Sequence, residues 1–158
     1  MPANREKLQQ LVNALVSGDY AQTTGYLKRT KESKDSETNV EYKPGYCCLG
    51  LGCELSGVGE WVEQEFATNA IYVTNPDAVG RTTNYTERYE GSNSPYYFPK
   101  PVADWFEIDG KDIEFSWKDK AFQHVRASAL NDADCTFAQI AECIAWDYEL
   151  ELPVAVAS

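Results

Sequence analysis

Ten consecutive residues limit the possible folds more than any others: Tyr46-Cys47-Cys48-Leu49-Gly50-Leu51-Gly52-Cys53-Glu54-Leu55, closed by Ser56-Gly57. Small and apolar side chains dominate, with a single charge among them, so the run has to be covered by the rest of the chain. It predicts a tightly packed helix whose glycines admit neighbouring backbone, each at a helix cost of about 1 kcal/mol. A buried strand is the alternative for so short an apolar run. Cys48, Leu49, Leu51 and Leu55 are then expected core.

Two amphipathic helices supply cover. Near the N-terminus, Leu8, Leu11, Val12, Leu15 and Val16 recur at helical spacing, with Asn4 as N-cap and Gly18 as stop. Near the C-terminus, Thr136 and Gln139 form a capping box ahead of a stripe of Phe137, Ile140, Ala141, Ile144, Ala145 and Tyr148, with Pro153 as terminator. Between them the pattern predicts strands at Glu60–Phe66, Ala70–Thr74 and Ile113–Trp117. It also predicts a short helix opened by Pro99-Lys100-Pro101, with Val102, Trp105 and Phe106 inward, and a helix from about Ala121 carrying Phe122, Val125, Ala129 and Leu130. The polar run Lys28–Glu41 reads as a flexible loop, residues 75–98 as an irregular polar and aromatic segment, and Val154–Ser158 as a frayed tail. The class is α+β: a single compact domain over residues 1–158, with the terminal helices and the buried Cys/Gly-rich helix packed against a small antiparallel sheet.

Composition excludes several roles. Hydrophobic residues at 43% and charged residues at 25% place the chain among folded globular proteins rather than disordered ones. A net charge of −11 repels nucleic acid and anionic membranes, so neither is an expected partner. No stretch approaches the ~20 apolar residues of a membrane span, and the first residues read as an amphipathic helix rather than a signal peptide. Five cysteines without a secretory signal are expected as free thiols in a cytoplasmic protein.

Catalytic and metal-binding patterns are weak. Cys47, Cys48 and Cys53 have C-C-x4-C spacing, unlike a zinc-ligand pair, and no metal or cofactor is expected. His124 is the sole histidine, so a thiol nucleophile would have to pair it with Cys135, at the turn before the capped helix. Asp132/Asp134 and Glu63/Glu65 can be nominated for acid–base work, with nothing to set them apart from surface acids. Gly50-x-Gly52 lacks the rest of a phosphate loop. The side chains best suited to an anionic small ligand are basic and aromatic residues outside the apolar stripes: Tyr26, Lys28, Arg29, Tyr46, Arg81, Asn84, Arg88, Tyr96, Tyr97 and Arg126. Arginine offers a fork for phosphate, tyrosine a face for a base, and asparagine a reader of its edge.

Four segments, in order, carry a family pattern. They are Ser17-Gly18-Asp19-Tyr20-x-Gln22-x-x-Gly25-x-Leu27, then Tyr46-Cys47-Cys48-Leu49-Gly50-x-x-Cys53-Glu54-Leu55, then Pro99–Ile108, then Ala129-Leu130-Asn131-Asp132 before Thr136-Phe137-x-x-Ile140-Ala141. Together they resemble a family of small bacteriophage and prophage proteins, mostly of unassigned function, with a YCCLG-x-x-C-[DE]-L core and a C-terminal LND…[ST]F-x-x-IA helix. Lys28–Glu41 and Asn75–Ser94 fall outside that pattern. The resemblance implies a phage accessory protein in the cytoplasm of an infected bacterium, and it brings no catalytic residues. Such proteins often counter host defence, which leads to the expectation of a non-catalytic, homo-oligomeric sponge for a nucleotide immune signal of cyclic-nucleotide or cyclic ADP-ribose type. The alternatives are an acidic inhibitor of a host defence protein, imitating nucleic acid, and an enzyme that degrades the signal.

Overall fold

The computed structural model describes residues 3–63, 67–75, 93–117 and 120–153. Helix α1 (Arg5–Ser17) begins where Asn4 Oδ1 accepts the Lys7 N–H at 3.0 Å and stops at Gly18, whose φ is 80°. Leu8, Leu11, Val12 and Leu15 are its buried face. The Cys/Gly-rich run is helical: α2 spans Cys48–Ser56 and ends at Gly57 in the left-handed region. Its N-cap is unusual in that the Cys47 Sγ accepts the Gly50 N–H at 3.3 Å. Helix α2 is the hub of the core, meeting α1, α3 (Lys100–Phe106) and α4 (Ala127–Asp132) as well as strand β4 (Gly45–Tyr46). The last helix, α5 (Phe137–Tyr148), has the full capping box and packs along α1. It stops four residues short of Pro153: Glu149 adopts a φ of 55° and donates its N–H to Ala145 O.

The main sheet is antiparallel and small. Its path runs β4, β1 (Lys28–Arg29), β6 (Asn69–Val73), β5 (Glu60–Glu63), and β7 (Asn93–Ser94) also pairs β6. A two-stranded piece joins β2 (Ser33–Lys34) to β3 (Glu41–Tyr42), so the run expected as a loop holds paired strands. A second correction concerns the segment from Ala121. Lys120–Arg126 is strand β9, antiparallel to β8 (Glu114–Trp117), and only Ala127–Asp132 is helical. Ladder hydrogen bonds to β8 outweigh the helical spacing of Phe122, Val125 and Ala129, because periodicity is a weak prior where a partner strand is available. Of the region 75–98, the described residues 93–98 carry β7, where Asn93 Oδ1 accepts the Thr74 and Asn75 N–H groups, each at 3.0 Å. Residues 64–66, residues 76–92 of the segment expected to be irregular, and the tail 154–158 lie outside the described residues.

A polar knot ties these layers together. Asn131 is fully buried; its Nδ2 donates to Thr23 O at 2.8 Å, and its Oδ1 accepts the Cys48 N–H at 3.2 Å and Gln22 Nε2 at 2.9 Å. Gln22 in turn donates to Cys135 O at 2.7 Å and accepts the Phe137 N–H at 3.0 Å. Next to it, Asp132 Oδ1 accepts the Gly25 N–H at 3.0 Å. Two side-chain amides thereby satisfy helix-end donors that would otherwise be orphaned in the interior.

Candidate functional site

Strand β1 sends its two cations in different directions. Lys28 Nζ lies 5.1 Å from the Tyr46 ring centroid and 5.2 Å from that of Trp61. Those rings belong to an edge-to-face chain of Tyr20, Tyr46, Trp61 and Tyr72. Arg29 is only 6% exposed, with its guanidinium 4.9 Å from the Tyr26 ring and 4.6 Å from that of Tyr42. It donates to Thr23 Oγ1 (3.2 Å), Ser33 Oγ (3.2 Å), Thr68 Oγ1 (3.0 Å) and Thr24 O (3.0 Å), all neutral oxygens. Burial pulls this guanidinium below its ordinary pKa, and Tyr26 and Tyr42 pull the other way. Arg29 is therefore a tie between β1, β2 and the 23–26 segment, with few donors left for a ligand.

Two concavities adjoin. The smaller is a cleft of about 140 Å³ lined by Gly25, Tyr26, Cys47, Tyr96, Tyr97, Ser128 and Asp132. Tyr26 and Tyr96 stack there at a centroid distance of 5.5 Å and an angle of 19°. The larger is a groove of about 890 Å³ between α3, the 108–112 turn, β8 and the end of α5, walled by Phe98, Phe115 and Tyr148. Three cations, Lys100, Lys111 and Arg126, share it with five carboxylates, Asp104, Asp109, Asp112, Glu114 and Asp147. Lys100 pairs with Asp104 at 2.9 Å and Arg126 with Glu114 at 3.4 Å. A partition separates groove from cleft: Ser128 of the cleft donates to Asp112 of the groove, and Lys111 of the groove sits 4.7 Å from the centroid of Tyr97.

Both concavities lie within one family match. The family model described as Domain of unknown function (DUF8296) matches residues 3–147. The chain belongs to that family. No curated protein and no solved structure matches it. The matched span contains every residue of the cleft and every groove residue except Tyr148.

In this member of the family, the expected ligand residues fall into separate places. Tyr26, Tyr96 and Tyr97 come together at the cleft with Arg29 behind them, Lys28 and Tyr46 sit on the aromatic chain, and Arg126 is at the groove. Arg81, Asn84 and Arg88 lie outside the described residues, as does the side chain of His124. The groove residues Lys100, Lys111, Asp112 and Asp147 carry no signal in the sequence, since no motif or spacing marks them among the other charged residues. The second residue of the pair Glu63/Glu65 is outside the described residues, and Asp132 and Asp134 are exposed. Among the described residues, no group of three or more His, Cys, Asp or Glu is placed to hold a metal ion, and no helix is long and apolar enough to cross a membrane.

All five cysteines are free thiols. Burial pushes Cys47 up to about 12, and Cys48 and Cys53 well above the ordinary thiol range, so none of these three supplies thiolate at neutral pH. Cys135 alone is half-buried; Cys143 is buried like the others. A thiol-specific disulfide reagent should therefore titrate one fast thiol per native chain and four more after denaturation. A second fast thiol would place one of the core cysteines at the surface.

Asp112 is 8% exposed and accepts the Ile113 N–H at 2.8 Å, the Ser128 N–H at 3.3 Å and the Ser128 hydroxyl. Burial raises its carboxyl above the ordinary range, against the pull of those donors and of Arg126. A raised folded-state pKa means the native chain holds a proton that the unfolded chain releases. Stability from this group is thus full below the ordinary carboxylate range and falls as pH rises to the raised value. Asp112→Asn, which keeps the oxygen that accepts the Ile113 and Ser128 N–H groups and offers the Ser128 hydroxyl a donor in place of the other, should gain on the wild type across that window and run parallel above it in urea melts taken over a pH series. A constant gap across the series would remove Asp112 as the source.

Proposed function

We propose that this DUF8296 member binds and sequesters a small nucleotide-type ligand without turning it over, in the groove beside α3 and β8. The observation that carries the reading is the groove itself, of about 890 Å³, with three aromatic walls and three cations at its lining. That volume lies within the ~300–1,000 Å³ of small-molecule sites. Both cation pairs at its rim are solvent-exposed, with side-chain exposures of 59–75%. Exposed pairs of this kind are worth only about 0–1 kcal/mol, so a phosphate exchanges into them at little cost. Five carboxylates against three cations set a limit on the ligand. They disfavour a densely anionic molecule and suit one that presents hydroxyl and amino donors beside a single phosphate.

The phage resemblance supplies the setting: a counter-defence protein in the cytoplasm of an infected bacterium, with a nucleotide immune signal as its ligand and a homo-oligomer as its working form. The test is thermal melting against nucleoside monophosphates, cyclic mono- and dinucleotides and cyclic ADP-ribose derivatives, with the ligand recovered by chromatography. Binding at a hundredfold excess over Kd stabilises the native state by about 2.7 kcal/mol, roughly 5–10 °C in Tm for a chain of this size. Lys111→Glu with Arg126→Glu should abolish the shift while leaving the unliganded Tm within a few degrees. A flat panel would overturn the proposal. Ligand recovered chemically altered would favour the enzymatic reading, for which Asp112, with its carboxyl raised by burial, is a candidate for proton transfer.

A further inference from the structure

Resting on the nucleotide reading above, we propose that the small cleft is the base-recognition pocket of the same site, and that Asp132 makes it selective for a guanine-type ring. The cleft holds about 140 Å³. That is the room of four or five waters at ~30 Å³ each, which matches a flat bicyclic ring and not a whole nucleotide. Tyr26, Tyr96 and Tyr97 line it, the first two stacked on each other, and tyrosine rings stack on any base. Selectivity must then come from the polar groups at its edge, Asp132 and Ser128.

Asp132 is held in place. Its Oδ1 accepts the Gly25 N–H at 3.0 Å, and its Oδ2 takes no hydrogen bond among the described residues. An ionised carboxylate only accepts hydrogen bonds. Guanine offers it two neighbouring donors, the ring N1–H and the exocyclic amino group. Hypoxanthine offers only the first, and adenine turns a ring nitrogen lone pair towards the same oxygen. A base seated here directs its sugar and phosphate across Tyr97 towards Lys111, the groove cation that lies on that ring 4.7 Å from its centroid. The partition thus links base and phosphate subsites through one cation.

Titration calorimetry with GMP, IMP and AMP tests this. The expected order is GMP, then IMP, then AMP, with GMP at least tenfold tighter than AMP. Asp132→Asn keeps the oxygen that Gly25 donates to and replaces the free acceptor by a donor, so it should cut the GMP preference by about tenfold and improve AMP. Binding of all three with equal affinity, or an unchanged GMP-to-AMP ratio in Asp132→Asn, would overturn the base assignment and leave the nucleotide reading standing. No binding of any of the three, together with a flat melting panel, would overturn both.

Discussion

Gly50→Ala should unfold the protein at temperatures where the wild type is intact. Alanine normally stabilises a helix interior over glycine by about 1 kcal/mol, so the sign of this effect is diagnostic. A Cβ at position 50 would sit 1.7 Å from the Leu27 carbonyl oxygen and 2.5 Å from its carbon, and backbone cannot swing aside as a flexible side chain does. That same oxygen accepts the Cys47 N–H at 3.0 Å, and Leu27 is fully buried beside α2. Overpacking a core costs about 1–3 kcal/mol, occasionally more; with a main-chain clash at the centre of the fold, a loss of ~3 kcal/mol or more is expected. Against a total stability of about 5–15 kcal/mol, that is a large fraction. Gly57→Ala is the control. Its φ is 63°, and nothing lies within 4 Å of the added methyl, so only the left-handed penalty of about 1–2 kcal/mol applies. Urea midpoints should rank wild type, Gly57→Ala, Gly50→Ala. A Gly50→Ala protein as stable as Gly57→Ala would mean that α2 does not run against Leu27.

Asn131→Leu should rank with Gly50→Ala. Leucine matches the size but strands the Thr23 carbonyl, the Cys48 N–H and the amide of Gln22 in the interior. Each unsatisfied buried group costs about 1–3 kcal/mol, and Gln22 keeps its bond to Cys135 O, so ~3–5 kcal/mol is expected. Gln22→Ala removes part of the same knot. The double variant should therefore lose less than the two single losses added together, by more than 0.5 kcal/mol. Simple additivity in chemical denaturation would show that the two amides act independently.

The helices were legible because their signals are local. Asn4, Gly18, Thr136 and Gln139 are caps that work within three or four residues of themselves, and the apolar stripes need only helical spacing. The burial of the Cys/Gly run followed from its composition. The strand at Lys120–Arg126 was not legible, since what makes it a strand is β8, and pairing leaves little trace in one segment alone. Short β2 and β3 carry polar residues because they are barely covered, so they imitate a loop. The candidate site divides the same way. Tyr26, Tyr96 and Tyr97 stood out as aromatics in polar context, and the chain does bring them to one cleft. Arg29 stood out as a basic residue outside the apolar stripes, yet the neutral oxygens that occupy it come from residues 23–24, 33 and 68. The groove joins Ala3, Lys100, Arg126 and Asp147, which nothing short of the fold places together.

The knot around Asn131 also dictates when the fold can form. Its bonds reach from residue 131 back across 83 to 109 positions, and Gln22 reaches Phe137 across 115. Closing loops of that length precedes any reward from the contacts they enable, which slows the search for the native arrangement. During synthesis the Cys/Gly-rich helix leaves the ribosome long before Asn131, and the amide that docks its first turn does not yet exist. Through that interval its apolar surface is open to wrong partners, and chaperone protection at this stage should govern how much native protein a cell accumulates.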